Sequence, residues 1–176
     1  MALKRLKIDG YGQLELNQVA FRRDGRIEAQ AKIAAGVNYV ENGMLLAIDP
    51  VARTVGMPTA NEGLIALNYT TEHMYDERTP GLKNFKLDAD SYLPRLGYLA
   101  AGDKFTTNCL AFDTDAEDVK QAIKDAIEAG VCYGQPCNLG AIEITATKPT
   151  GVVALQVVEA TTMPDGQFAV KFIALK

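Results

Sequence analysis

The apolar runs of this chain are short, and glycine-led turns separate them. Residues 101–113 (Ala-Gly-Asp-Lys-Phe-Thr-Thr-Asn-Cys-Leu-Ala-Phe-Asp) show the pattern most plainly. Gly102-Asp103 makes a turn, Thr, Phe and Leu continue as a strand to residue 112, and the chain then runs into a helix. A four-residue echo lies upstream, where Leu46-Ala47-Ile48-Asp49 parallels Leu110-Ala111-Phe112-Asp113, each after a Gly-led turn (Asn42-Gly43, Gly102-Asp103). Runs this short suit strands rather than long helices. The fold class expected is mainly β: barrel or sandwich modules built of hairpins, with one amphipathic helix.

Length and composition narrow the class. At 176 residues, 48% hydrophobic and 23% charged, the chain is large enough to bury a core as one domain or two small β-modules. Its net charge of -4 argues against binding nucleic acid by phosphate neutralisation, and three cysteines fit a reducing compartment better than a disulfide framework. Lys4, Arg5 and Lys7 have no apolar run behind them, so no signal peptide is expected, and no run reaches the ~20 apolar residues of a membrane helix. A soluble chain assembled inside a cell, with neither membrane nor nucleic-acid partner, is the expectation.

Two hairpins are expected in the first third. Leu14, Leu16 and Phe21 would pair with Ile27, Ala29 and Ala31 around Asp24-Gly25. Residues 37–41 would pair with 44–48 around Asn42-Gly43, the dipeptide suited to a type I′ turn. Residues 1–36 then read as an N-terminal arm or hairpin, and 37–176 as a β-rich domain divisible at residue 100 into modules 37–100 and 101–176. Asp49-Pro50 ends one strand, because proline donates no ladder hydrogen bond; strands follow within 52–57 and 63–70.

Residues 71–100 break the rhythm. Pro80-Gly81 and Pro94 punctuate charges and aromatics (Tyr75, Phe85, Tyr92, Tyr98) without a sustained period. Two readings stand: an ordered excursion whose aromatics plug a barrel edge, or a contact arm, since tyrosine-rich surface suits protein interfaces. The helix expected over about 115–129 begins at a Thr114/Glu117 capping box and ends at Gly130, with Val119, Ile123, Ala126 and Ile127 on one stripe. Strands at 140–147, 152–160 and 167–175 close the chain, the last two as a hairpin around Met163-Pro164-Asp165-Gly166, for about ten strands in all. Phe168, Val170, Phe172 and Ala174 share one face opposite Ala169, Lys171 and Ile173, which marks a central or covered strand.

Chemical signatures are sparse, and no catalytic, cofactor-binding or metal residue is assigned. His73 has no nucleophile at any triad spacing and reads as a surface residue. Cys132 and Cys137 have a spacing that suits two zinc thiolates, but only Cys109 and His73 remain to complete four ligands. Small apolar fillers in a turn explain them better, with a Cys132–Cys137 disulfide as the alternative. Asp88/Asp90 and Asp113/Asp115 pair acids without the loop that a calcium site requires, and read as turn acids and a helix cap. Asn68-Tyr69-Thr70 is a glycosylation sequon only if the chain is secreted.

Residues 99–108 (Leu-Ala-Ala-Gly-Asp-Lys-Phe-Thr-Thr-Asn) and 164–170 (Pro-Asp-Gly-Gln-Phe-Ala-Val) resemble the tailed-phage head decoration or cement proteins, small β-rich accessories of the capsid. Residues 41–49 and 61–75 have the same character, so the likeness spans roughly 37–176. The helix after residue 113 departs from the plainest members. The resemblance implies a non-enzymatic virion protein on the outer head surface, assembled in the host cytoplasm. Its partners would be the major capsid protein and its own copies, as a dimer or trimer, with no cofactor. Two alternatives differ in class: a tail or neck subunit, and a small β-barrel ligand-binding module or metal-dependent enzyme using Asp88–Asp90 or Cys132 and Cys137.

Overall fold

The computed structural model describes residues 2–70, 85–89 and 93–176. The chain is mainly β, 38% strand and 6% helix, in two sheets, one of them curled into a half-barrel. In chain order the strands are β1 (Leu3–Arg5), β2 (Leu14–Gln18), β3 (Ile27–Glu28), β4 (Lys32–Ile33), β5 (Leu45–Asp49), β6 (Thr54–Gly56) and β7 (Leu64–Asn68). Then come β8 (Leu96–Gly97), β9 (Lys104–Thr107), β10 (Leu110–Asp113), helix α1 (Val119–Glu128), β11 (Tyr133–Pro136), β12 (Ile142–Thr145), β13 (Leu155–Thr162) and β14 (Phe168–Ala174).

An eight-stranded sheet has the order β1-β10-β12-β11-β13-β14-β9-β2, and a six-stranded sheet the order β3-β8-β7-β5-β6-β4. The second sheet is therefore built wholly from residues 27–97, inserted between the first two strands and the last six of the other. Residues 1–36 are woven into both sheets, β1 on β10, β2 on β9, β3 on β8 and β4 on β6.

Both expected N-terminal hairpins are absent. β2 and β3 flank Asp24-Gly25 but lie in different sheets, and the turn between them carries the chain from one to the other. Residues 37–41 do not pair with β5, which is flanked by β6 and β7. Residue 40 instead bridges Leu87. Asn42-Gly43 is a turn closed by the Met44 N–H donating to the Glu41 carbonyl at 3.3 Å. Only Gly43 takes positive φ, at 86°, whereas a type I′ turn needs it at both positions.

Residues 101–112 form two strands, not one. The chain breaks at Asn108-Cys109: β9 pairs with β14 and β2, while β10 pairs with β1 and, in parallel, with β12. The strand β11 was missed because Gly134 and Pro136 sit within it. Gly134 is needed there, since a Cβ would lie 2.8 Å from Ile142 Cγ2 and 2.9 Å from Phe172 Cε1. The described residues hold fourteen strands, more than the ten expected.

The C-terminal hairpin forms as expected, with β14 central between β13 and β9. Met163 N–H donates to the Gln167 carbonyl and Gly166, at φ 86°, donates back to Met163, giving a three-residue loop with glycine in the bulge position. Helix α1 starts four residues later than its expected first residue. Its N-cap is Asp118, whose carboxylate accepts the Gln121 N–H, while Thr114 Oγ1 accepts the Ala116 N–H in a local turn. Its end matches expectation. Gly130 N–H donates to Ile127 and Val131 N–H to Ala126, a Schellman motif with Gly130 at φ 85°.

One core joins the sheets. Phe21, Leu45, Leu67 and Tyr69 from residues 27–97 and their approach pack with Phe105, Leu155 and Phe172, and α1 adds Val119 and Ile123. A second cluster lies on the far face of the six-stranded sheet: Leu46, Ile48 and Ala66 meet Val40, Leu87 and Leu96, with Phe85 and Tyr98 against them. Alternate residues of β5 and β7 thus enter different cores, which is why those strands are apolar up to their closing residues, Asp49 and Asn68. Phe85 and Tyr98 pack against this second cluster; most of residues 71–100, with Tyr75 and Tyr92, lies outside the described residues.

Candidate functional site

A polar cluster among the described residues joins the two sheets. Arg5, at the end of β1, reaches over to Glu41 in the loop before β5 and makes a direct ion pair with its carboxylate. Glu41 is 1% exposed; its second oxygen accepts the Gly12 N–H at 3.1 Å, and Lys86 Nζ stands 3.9 Å away. The Glu41 carbonyl accepts Asn68 Nδ2 at 2.8 Å. Cys109 Sγ donates to the Asn42 carbonyl at 3.1 Å and lies 3.5 Å from Arg5 Nη2. Thr107 Oγ1 donates to the Gln13 carbonyl and accepts the Cys109 N–H.

Two glycines permit this close crossing. A Cβ at Gly12 would lie 2.6 Å from Cys109 Sγ and 2.7 Å from the Asn42 carbonyl, and one at Gly43 would lie 2.1 Å from Thr107 Oγ1. The Asn-Gly dipeptide therefore serves a sheet-to-sheet contact.

Electrostatics make the cluster a joint. Burial pushes the Cys109 thiol up to about 11, against a smaller opposing pull from Arg5, so at neutral pH it is an uncharged donor. Burial alone would lower the Arg5 pKa; at the high pH where Arg5 would lose its proton, the Cys109 thiolate and the Glu41 carboxylate outweigh burial and raise it. A buried carboxylate held by a guanidinium on one oxygen and a backbone N–H on the other has both oxygens engaged, and a neutral buried thiol is a poor nucleophile.

The second feature is an open cleft of about 580 Å³ between the β6–β7 loop and residues 150–152. Asn61 pins its two walls together: its Nδ2 donates to the Val153 carbonyl at 2.7 Å and its Oδ1 accepts the Val153 N–H at 2.9 Å. Glu62, Gln135 and Lys176 supply polar rim groups, and Lys176 Nζ is tied to the Thr150 carbonyl at 2.8 Å. Val152 lines it at 44% exposure, and Leu64, next to lining residue Gly63, is equally exposed.

The residues weighed from sequence are scattered. Cys109 and Cys137 are buried and Cys132 is half-buried; the thiols of Cys132 and Cys137 donate to the Gly130 and Ala141 carbonyls, and all three are free, so there is no Cys132–Cys137 disulfide. Cys132 and Cys137 bracket the strand β11 and not a turn. Asp113 and Asp115 are exposed, and neither caps the helix. Asn68 is fully buried, so the sequon is closed to a glycan. Lys4 Nζ donates to the Asp115 and Ala116 carbonyls, and Arg5 is consumed by Glu41. His73 and Asp90 lie outside the described residues, as does any pairing of Asp90 with Asp88. Among the described residues, no three His, Cys, Asp or Glu side chains converge on a metal-sized site. No described helix is long and apolar enough to cross a membrane.

Sequence reasoning missed Glu41 and Asn61. A charged residue ending the apolar run 37–41, beside Asn-Gly, was the available signal for Glu41; Asn61 carried none. The class these features define is a two-sheet β-protein whose polar side chains brace the crossing. No protein-family profile, characterised protein or solved structure matches this chain.

Proposed function

We propose that the chain is a non-enzymatic virion structural protein, a tailed-phage capsid decoration or cement protein that binds the outer head surface. The observation that supports this most is the commitment of the chemistry-bearing side chains to internal joints. Arg5, Glu41 and Cys109 brace one sheet on the other, and Asn61 clamps two loops. What such a chain offers to its surroundings is surface. Val51, 92% exposed, projects from a turn held by Asp49 Oδ1 accepting the Val51 and Ala52 N–H groups, and Leu64 and Val152 flank the open cleft. Weak contacts of this kind, repeated around a shell, add up through multivalency.

The test is co-sedimentation of purified protein with expanded capsids that lack it, and with isolated tails. Binding to heads together with a raised capsid melting temperature is expected. Binding to tails alone would favour the tail or neck reading, and binding to neither would overturn a virion role.

A further inference from the structure

We propose that the free edge of β13 is a self-association surface, paired antiparallel with the same edge of a second copy of this chain. Among the described residues β13 is the longest strand, eight residues from Leu155 to Thr162. On one side β14 pairs with it to its end, with a bulge between Val157 and Glu159. On the other side β11 pairs only with Leu155 and Gln156, and the Val157 N–H donates to the Cys132 carbonyl just beyond. Residues 158–162 (Val-Glu-Ala-Thr-Thr) have no strand on that side among the described residues. They can be reached from solvent: Val158 is 50% exposed, Glu159, Ala160 and Thr162 are exposed, and Thr161 is half-buried.

The hydrogen-bond phase fixes which backbone groups point outward. Along an antiparallel strand, successive residues bond alternately to one neighbour and to the other. Before the bulge, Leu155 and Val157 bond towards β11. The bulge resets this alternation, which is why the β11 pairing stops there. Beyond it, the Met163 N–H donates to the Gln167 carbonyl at the foot of β14. Glu159 and Thr161 therefore also bond towards β14, and Ala160 and Thr162 turn their N–H and C=O groups outward. These outward groups have no hydrogen-bond partner among the described residues. The edge also lacks the usual protection, since residues 158–162 hold no lysine or proline, and the carboxylate of Glu159 is tied to Lys171 at 3.1 Å. Other open edges are shorter or irregular: β1 has three residues, β3 and β4 have two, and β2 shifts register between Glu15 and Gln18.

A second copy fits this edge because its outward groups are symmetric about Thr161. A two-fold axis at that residue, the commonest symmetry of soluble oligomers, sets Ala160 of each copy against Thr162 of the other. Each of these pairs exchanges two hydrogen bonds, so every outward N–H and C=O of Ala160 and Thr162 is satisfied. Thr161 meets its own counterpart across the axis, a threonine pair of the kind that stabilises sheets. Glu159 falls opposite Met163 of the other copy, so like charges do not meet. An axis through residue 162 would oppose Ala160 to Pro164, which has no N–H, and one through residue 160 would oppose Thr162 to the bulge. One register is thus selected. Two short strand edges bury little area, so the dimer is weak and reversible.

Register-specific crosslinking of the full chain tests this, in a Cys132→Ser background where the remaining native thiols, Cys109 and Cys137, are buried. Directly opposed residues of a non-hydrogen-bonded antiparallel pair have Cα atoms about 4.5 Å apart, within disulfide reach. Under mild oxidation Thr161→Cys should form a disulfide-linked dimer about tenfold faster or more than Ala160→Cys, whose two thiols are staggered across the axis. Sedimentation equilibrium from micromolar to near-millimolar protein should show a reversible monomer–dimer equilibrium. Thr161→Lys, which sets two ammonium groups face to face, and Ala160→Pro, which removes an outward N–H, should each weaken it about tenfold or more. Circular dichroism melting of each variant checks the fold, and Thr161→Lys is the milder change because it keeps every backbone donor. A chain that stays monomeric throughout, that crosslinks as fast through residue 160, or that dimerises undiminished in folded Thr161→Lys overturns the proposal. No capsid enters the measurement, so its failure is distinct from failure of the head-binding reading.

Discussion

At the scale of the residue, Glu41 and Cys109 carry the sharpest expectations. Truncating one partner of a buried ion pair strands the other, so Glu41→Ala should cost about 3 kcal/mol, the low end for such losses because Arg5 keeps some exposure. Replacing both partners, Arg5→Met with Glu41→Leu, should cost less than the single change. Urea denaturation of the three variants measures this, and equal losses for single and double variants would contradict the joint role.

Cys109 makes a pH prediction whose sign follows from linkage. Its thiol ionises near 9.0 when unfolded and near 11 when folded, so the folded form retains a proton that the unfolded form releases. The stabilisation is complete below about pH 9 and is lost as pH rises towards about 11. Cys137, Tyr11 and Tyr98, all shifted upward mainly by burial, act in the same direction. Melting temperature should therefore fall across that window, and less steeply in Cys109→Ala. An unchanged slope would mean that the thiol is not desolvated in the fold.

At the scale of the element, α1 separates two ways of starting a helix. Asp118 caps it and Glu117 does not, so Asp118→Ala should cost about 1 kcal/mol and Glu117→Ala close to nothing. The reverse order in thermal melts would restore the Thr114/Glu117 capping box. Gly130→Ala should also destabilise, by about 1 kcal/mol, because alanine pays to adopt the positive φ of a Schellman motif. Strand edges follow a related logic. The outer strands of the six-stranded sheet, β3 and β4, are two residues long, which limits edge-to-edge pairing with other chains.

At the scale of the whole molecule, the shared core predicts cooperativity. Phe21, Leu45 and Leu67 pack with Phe105, Leu155 and Phe172, so neither sheet keeps a complete core without the other. Tyrosine fluorescence and far-ultraviolet circular dichroism should report one coincident unfolding transition. Two separated transitions would mean that the insert of residues 27–97 folds independently. The proposed head binding belongs to this scale too, since it would depend on how loops distant in sequence are set side by side.

What could be read from the residues alone was local. The β class follows from short apolar runs between glycine turns. The body and C-terminal end of α1 follow from its 3–4 spacing and Gly130, and the last hairpin follows from Pro164-Asp165-Gly166, because each signal is carried by residues a few positions apart. Partner choice is not local. Asp24-Gly25 and Asn42-Gly43 bend the chain as their chemistry requires, but a bend does not say which strand lies on the other side. Burial against a distant face decided that. Leu14 and Leu16 found β9 and the larger core, while Ala31 and Ile33 entered the core on the far side of the smaller sheet. The same holds for the polar crossing. Arg5, Gly12, Glu41 and Cys109 span more than a hundred positions, and only close packing of two sheets, open to backbone approach at two glycines, brings them into one network.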